Sequence, residues 1–96
     1  MNQDVIHVYF MPGMAASSKI FEYINLPESK FKCHYLEWIM PINNEAISEY
    51  AFRMSKKITN KNSVLIGVSF GGILVQEMSK HISVRKLIII SSVKSH

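Results

Sequence analysis

A short glycine-rich segment, G-V-S-F-G-G at positions 67–72, carries the strongest chemical signal in the chain. It matches the pattern G-x-S-x-G and stands between an apolar, β-branched run and a stretch with helical spacing. A serine in such a strand-to-helix turn has a strained backbone, so small residues are needed two positions before it and two after it. Gly67 and Gly71 meet this need, and Ser69 is therefore the candidate nucleophile.

The backbone around Ser69 could also stabilise the negative charge that develops when a serine attacks a carbonyl group. The following helix would point its unpaired N–H groups at this oxyanion, with the amide of Phe70 as one donor. A second donor is expected from the turn after the first predicted strand, at residues 11–14. Together these groups would suit acyl transfer.

Two other interpretations of segment 67–72 stay open. The turn could be purely structural, or the helix N-terminus could bind a phosphate group. A dinucleotide site is disfavoured because the glycines do not follow G-x-G-x-x-G. Asp4 is also the only aspartate in the chain, so no aspartate follows at the distance where a ribose contact would be expected.

The rest of the chain predicts an α/β fold that would position this turn. Apolar and β-branched runs indicate strands at 5–10, 33–39, 63–68 and 86–91. Apolar residues at steps of three and four indicate helices at 15–26, 44–58 and 71–81. Strands that alternate with helices run parallel, which predicts a three-layer α/β/α sandwich with a mainly parallel sheet. With 96 residues, 48% of them hydrophobic, the chain is expected to form a single domain, 1–96.

With these elements in place, the chain resembles the N-terminal half of an α/β-hydrolase, the superfamily of esterases, lipases and thioesterases. The resemblance implies a partial α/β-hydrolase fold of about four strands in the order 2-1-3-4. It implies a serine hydrolase that acts on the carboxylic ester or thioester bonds of a small-molecule acyl substrate, with no cofactor and no metal. In the family the residue after the glycine of a His-Gly-x turn donates its amide to the oxyanion, which implies that role for Met14. Pro12 stands where many relatives have histidine.

The histidines do not supply an evident base for Ser69. A site in a parallel sheet lies beyond the C-terminal ends of the strands. His34 is expected near the start of its strand, and His81 at the end of the helix that leads away from the turn at 67–72, which we call the elbow. His7 lies within the first predicted strand, and His96 follows the last strand at the correct end but is the final residue.

The acidic residues leave the same gap. Asp4 opens its strand on the far side, Glu77 lies well along the outgoing helix, and Glu37 is expected to be a solvated side chain. In the family the acid and the histidine follow the serine, on loops after later strands. The resemblance therefore implies that the chain is a truncated or proteolysed portion of a longer hydrolase, or a naturally short relative of one, with truncation favoured. The chain alone is expected to be inactive.

The isoleucine-rich segment 86–91 is expected to lie at an edge of the sheet. An open strand edge presents unpaired N–H and C=O groups that can pair with another chain. We expect a homodimer through this strand, and the alternative function is a non-catalytic binding or assembly module that self-associates in this way.

Composition and charge narrow the partners and the location. The net charge is +4, but the basic residues are scattered, so no phosphate-binding stripe for nucleic acid is evident. Cys33 is the only cysteine, which is typical of a reducing compartment. Neither a secretory signal, which needs a basic leader before an apolar run, nor a long apolar membrane span is readable in the sequence. We therefore expect the protein in the cytoplasm.

Overall fold

The computed structural model describes residues 5–13, 21 and 24–90. These residues form four parallel strands and two helices, which are joined by loops. In chain order they are β1 (Ile6–Met11), β2 (Phe31–Tyr35), α1 (Ile47–Ser55), β3 (Ser63–Val68), α2 (Phe70–Met78) and β4 (Val84–Ile90). All strand pairs are parallel, and the order across the sheet is β2-β1-β3-β4. The α/β class and the predicted strand order are confirmed.

The order of the strands decides which face of the sheet each connection covers. The steps from β2 to β3 and from β3 to β4 run in one direction across the sheet, so right-handed crossovers bring α1 and α2 to the same face. There Tyr9, Met11 and Leu65 pack with apolar residues of both helices. The step from β1 to β2 runs the other way, and on that face Phe21 packs against Val8 and Phe10.

Helix α1 is shorter than the predicted helix 44–58. Asn44 has a positive φ of 64°, a conformation that a right-handed helix cannot include, so the helix begins only after it. The Glu49 carboxylate accepts a hydrogen bond from the N–H of Ala46 at 2.9 Å, which satisfies one of the donors at the helix start. Met54 and Ala51 lie on the buried face, as the spacing predicted.

The second strand is also displaced from its prediction. The apolar run at 33–39 predicted a strand, whereas β2 ends at Tyr35. The N–H of Leu36 still donates to the Phe10 carbonyl at 2.8 Å, and then the chain leaves the sheet. The apolar residues that follow, Trp38 and Ile39, are partly buried because they pack from a loop against the core between the sheet and the helices, which explains why they looked like strand residues.

The remaining boundaries differ by a few residues. Helix α2 ends at Met78 rather than at 81, and β4 begins at Val84, two residues before its prediction. The predicted helix 15–26 falls mostly outside the described residues, and residues 24–26 are irregular. Each of the two described helices has nine residues, and neither is long enough to cross a bilayer.

Candidate active site

Ser69 occupies a strained turn between β3 and α2. Its backbone has φ 57° and ψ −125°, which is far from the left-handed helical minimum and is sparsely populated by residues with a side chain. The Ser69 N–H donates to the carbonyl of Ile90 at 2.9 Å, and the Ser69 carbonyl accepts from Gly72 at 2.8 Å. These bonds hold an exposed serine in a conformation that it would not adopt alone.

The glycines on both sides of Ser69 allow this turn to form. A Cβ atom on Gly67 would lie 2.6 Å from the carbonyl carbon of Gly71. A Cβ atom on Gly71 would lie 2.5 Å from the carbonyl oxygens of both Met11 and Pro12. Neither backbone neighbour can move aside cheaply, so both positions exclude any side chain.

The turn after β1 lies against the serine. A Cβ atom built on Gly13 would be 3.5 Å from Ser69 Cβ and 3.9 Å from Ser69 Oγ, which is ordinary van der Waals contact. Pairing of Met11 with Gly67 brings the ends of β1 and β3 to this point. Met14, the expected second oxyanion donor, lies outside the described residues. Phe70 opens α2, where an N–H group has no carbonyl within the helix to bond.

Trp38 connects this turn to the start of α2. Its indole N–H donates to the carbonyl oxygens of Pro12 and Gly13, each at 3.1 Å. Its ring is parallel to that of Phe70, with the ring centres 5.7 Å apart and the planes 6° apart. A single side chain therefore contacts the backbone of the turn after β1 and the side chain of the residue that follows Ser69. The sequence placed Trp38 in a strand, and this role was missed.

The loop that carries Trp38 is fastened to α1. The Tyr50 hydroxyl donates to the Ile39 carbonyl at 2.6 Å and accepts from the Ile39 N–H at 2.8 Å. Arg53 bonds Glu45 through Nε at 2.7 Å and also donates to the Met40 carbonyl at 3.0 Å. These contacts give the loop a fixed path without regular secondary structure.

The ion pair in this loop shifts both of its partners. Hydrogen bonds from Arg53 and from the N–H of Ile42 lower the pKa of Glu45 to about 2. The same carboxylate raises the pKa of Arg53. Glu45 is therefore ionised throughout the neutral range and fully occupied within the loop.

Two of the histidines bond to each other rather than to Ser69. His7 Nδ1 and His34 Nε2 are 2.9 Å apart, and the His34 ring stacks on Tyr9. The pKa of His34 is lowered chiefly by burial and, to a smaller extent, by repulsion from the nearby His7 and Lys32, so the neutral form is favoured. The expectation that His34 lies near the start of its strand is wrong, because β2 spans 31–35 and His34 is its penultimate residue.

The other titratable candidates are occupied elsewhere or lie outside the described residues. His81 follows α2, where it contacts the Ser48 carbonyl at 3.2 Å and the ring of Phe52. Glu77 pairs with Lys80 at 3.0 Å. Asp4 and His96 belong to the part of the chain that is not described. Within the described ranges, no histidine or carboxylate is hydrogen-bonded to Ser69 Oγ, and no three metal-ligating side chains form a cluster.

No protein-family model matches the chain, and a search of curated proteins finds no significant match. The geometry around Ser69 is therefore the basis on which a function can be inferred.

Proposed function

We propose that the protein is a serine hydrolase of the α/β-hydrolase type that acts on carboxylic ester or thioester bonds, with Ser69 as the nucleophile. The observation that carries the proposal is the strained backbone of Ser69, at φ 57° between a strand and a helix. Ser69 is exposed although its backbone is strained, and the turn leaves no room for side chains at Gly67 and Gly71. Backbone strain of this kind is more typical of a functional residue than of a purely structural turn. We further propose a small-molecule acyl substrate, no cofactor and no nucleic-acid partner.

In the proposed reaction, Ser69 Oγ bonds to the carbonyl carbon of the substrate, and the carbonyl π electrons move to its oxygen. The amide of Phe70, at the positive end of α2, donates to this oxyanion, and Met14 is assigned the second donor by resemblance. When the intermediate collapses, the bond to the leaving oxygen or sulfur breaks, and the alcohol or thiol departs with the proton from Oγ. Water then attacks the acyl-serine in the same way and releases the acid.

Proton transfer from Oγ needs a base, and the proposal assigns it to a group outside the described residues. The described histidines have other contacts, since His7 and His34 bond each other and His81 lies beyond the far end of α2. A helix of nine residues separates His81 from Ser69 by about 13 Å. A histidine oriented by an acid on a later loop would complete the arrangement.

Hydrolysis of p-nitrophenyl esters by the full-length protein tests the proposal. Ser69→Ala should reduce kcat by about 1,000-fold or more, because loss of a serine nucleophile removes the covalent route. Ser79→Ala is the matched control, because Ser79 caps the other end of the same helix, and its kcat should be unchanged. Equal activity of the wild type and Ser69→Ala, or activity in neither, would contradict the proposal.

We propose self-association through β4 as a second candidate function. In the described part of the sheet β4 forms one edge, and Ile89 and Ile90 are exposed there. Pairing with a second copy of the strand would satisfy the open backbone groups and cover these side chains. Sedimentation should show a dimer that Ile90→Lys dissociates, whereas Ile73→Lys, at an exposed isoleucine of α2, leaves it intact. A monomer at all concentrations would contradict this candidate.

The location is proposed on the single cysteine. Cys33 is a free thiol, which is typical of proteins in a reducing compartment, and we propose the cytoplasm.

A further inference from the structure

A cavity of about 480 Å³ lies between the loop after β2, the start of α1 and the first residue of α2. Its apolar and aromatic walls are Trp38, Ile39, Pro41, Ile47, Tyr50 and Phe70. The volume falls within the range of about 300 to 1,000 Å³ that small-molecule sites occupy. A larger cavity of about 570 Å³ lies at the opposite end of the sheet, between the segments that precede β3 and β4, far from the elbow.

The cavity shares its walls with the elbow. Phe70 is covalently next to Ser69, and its ring stacks on Trp38. Trp38 also bonds the Gly13 carbonyl at 3.1 Å, and a Cβ atom added to Gly13 would lie in van der Waals contact with Ser69. A molecule in this cavity would therefore sit beside the nucleophile and the turn that faces it.

The polar groups that line the cavity are already bonded within the protein. The Trp38 indole donates to two backbone carbonyls, and the Tyr50 hydroxyl is shared between the N–H and C=O of Ile39. Glu45, the one charged residue in the lining, pairs with Arg53 at 2.7 Å. A polar ligand would find no free partner among these side chains, whereas an apolar one would gain the full benefit of burial.

We infer that this cavity binds the apolar acyl chain of the ester or thioester substrate. The inference that the bound chain belongs to a substrate rests on the proposed function, whereas binding of an apolar chain in the cavity does not require hydrolysis at Ser69. Each methylene that enters the cavity should tighten binding about four-fold until the cavity is full. The substrate class is thus a medium-chain acyl ester or thioester rather than an acetyl ester.

Trp38 is the only tryptophan in the chain, and its fluorescence can report occupancy without any turnover. Methyl 8-bromooctanoate carries a heavy atom that quenches indole emission on contact. It should quench the full-length protein saturably, and Ser69→Ala should be quenched equally because the cavity does not include Ser69. Methyl bromoacetate, with the same heavy atom but without the chain, should bind at least about 100-fold more weakly. Equal quenching by the two esters would overturn the inference.

A substitution that fills the cavity gives a second test. Ile47→Phe adds volume at the cavity wall and should weaken the bromooctanoate affinity about ten-fold. Ile73→Phe is the matched control, since Ile73 is also an exposed helical isoleucine but does not line the cavity. Thermal melting of both variants checks that they fold. If Ile47→Phe misfolds, Ile47→Ala replaces it and should weaken chain binding by enlarging the cavity mouth and removing contacts.

Activity separates the inference from the proposed function. If Ser69-dependent hydrolysis occurs, kcat/KM should rise from p-nitrophenyl acetate to the octanoate, and Ile47→Phe should suppress the octanoate rate while sparing the acetate. Ser69-dependent hydrolysis with no preference for chain length would overturn the acyl cavity and leave the hydrolase proposal intact. Saturable quenching without hydrolysis would support the cavity and contradict the hydrolase.

Discussion

Replacing Ser69 with glycine should stabilise the protein relative to replacement with alanine. At φ 57° and ψ −125°, any residue with a Cβ atom bears backbone strain, and glycine does not. Strain of this kind costs about 1 to 3 kcal/mol. Glycine loses about 0.5 to 1 kcal/mol against alanine at an ordinary helix position, because its unfolded chain is more flexible. The balance predicts that Ser69→Gly is more stable than Ser69→Ala by about 1 kcal/mol.

The sign of this difference is diagnostic, because at unstrained positions it is reversed. Ser79 caps the C-terminal end of α2 at φ −66° and ψ −12°, a conformation that alanine adopts freely. There Ser79→Gly should be less stable than Ser79→Ala by about 0.5 to 1 kcal/mol. The two pairs of variants lie on the same helix and involve the same residue types, so each serves as a control for the other.

Urea unfolding followed by circular dichroism gives the free energy of unfolding for all four variants. In thermal melts, a difference of 1 kcal/mol in a domain of this size corresponds to about 4 to 8 °C in Tm. If Ser69→Ala were as stable as Ser69→Gly, or more stable, the backbone at this position would not be strained. The inference from strain to function would then have no basis.

Three further predictions concern the contacts around the site. Trp38→Phe keeps a ring against Phe70 but loses the N–H that donates to the carbonyls of Pro12 and Gly13. The free energy of unfolding in urea should therefore decrease by about 1 kcal/mol, and the Ser69-dependent kcat should fall about ten-fold or more. Gly71→Ala forces a Cβ atom against two carbonyl oxygens, and soluble expression and Tm should both drop, while an unchanged Tm would refute the packing. Because the pKa of His34 is lowered in the folded protein, the unfolded state binds this proton more readily as the pH drops below 6.5, and acid favours unfolding. The urea midpoint should therefore decrease as the pH is lowered from 7 to 5, and His34→Gln should make the midpoint less dependent on pH.

The periodicity of the sequence was sufficient for the sheet but not for the loop after β2. Runs such as 63–68 are apolar and β-branched because β3 is central, with one face buried and the other partly buried, and the predicted boundaries of that strand are the observed ones. Leu36, Trp38 and Ile39 have the same apolar character, but they are buried or partly buried by packing on the core that the sheet forms with α1 and α2. A local apolar pattern indicates that residues are buried but not which element buries them, so the predicted strand extends too far along the chain.

The elbow was recognisable because its requirements are local. Gly67 and Gly71 are needed within four residues of one another to relieve clashes in one turn, and such a spacing is visible in sequence. Trp38 acts across the fold, 25 positions from Gly13, and its place beside the elbow depends on where β2 ends. The one local hint was its indole N–H, which needs an acceptor when it is partly buried.

Labelling with a fluorophosphonate tests most directly whether Ser69 is an activated nucleophile. An ordinary serine hydroxyl does not react at an appreciable rate, whereas one with a base and an oxyanion site does. Intact-mass analysis and peptide mapping of the full-length protein should find one adduct per chain, on Ser69, and none in Ser69→Ala. An unmodified protein, or an adduct that forms equally in Ser69→Ala, would contradict the assignment of Ser69 as the nucleophile.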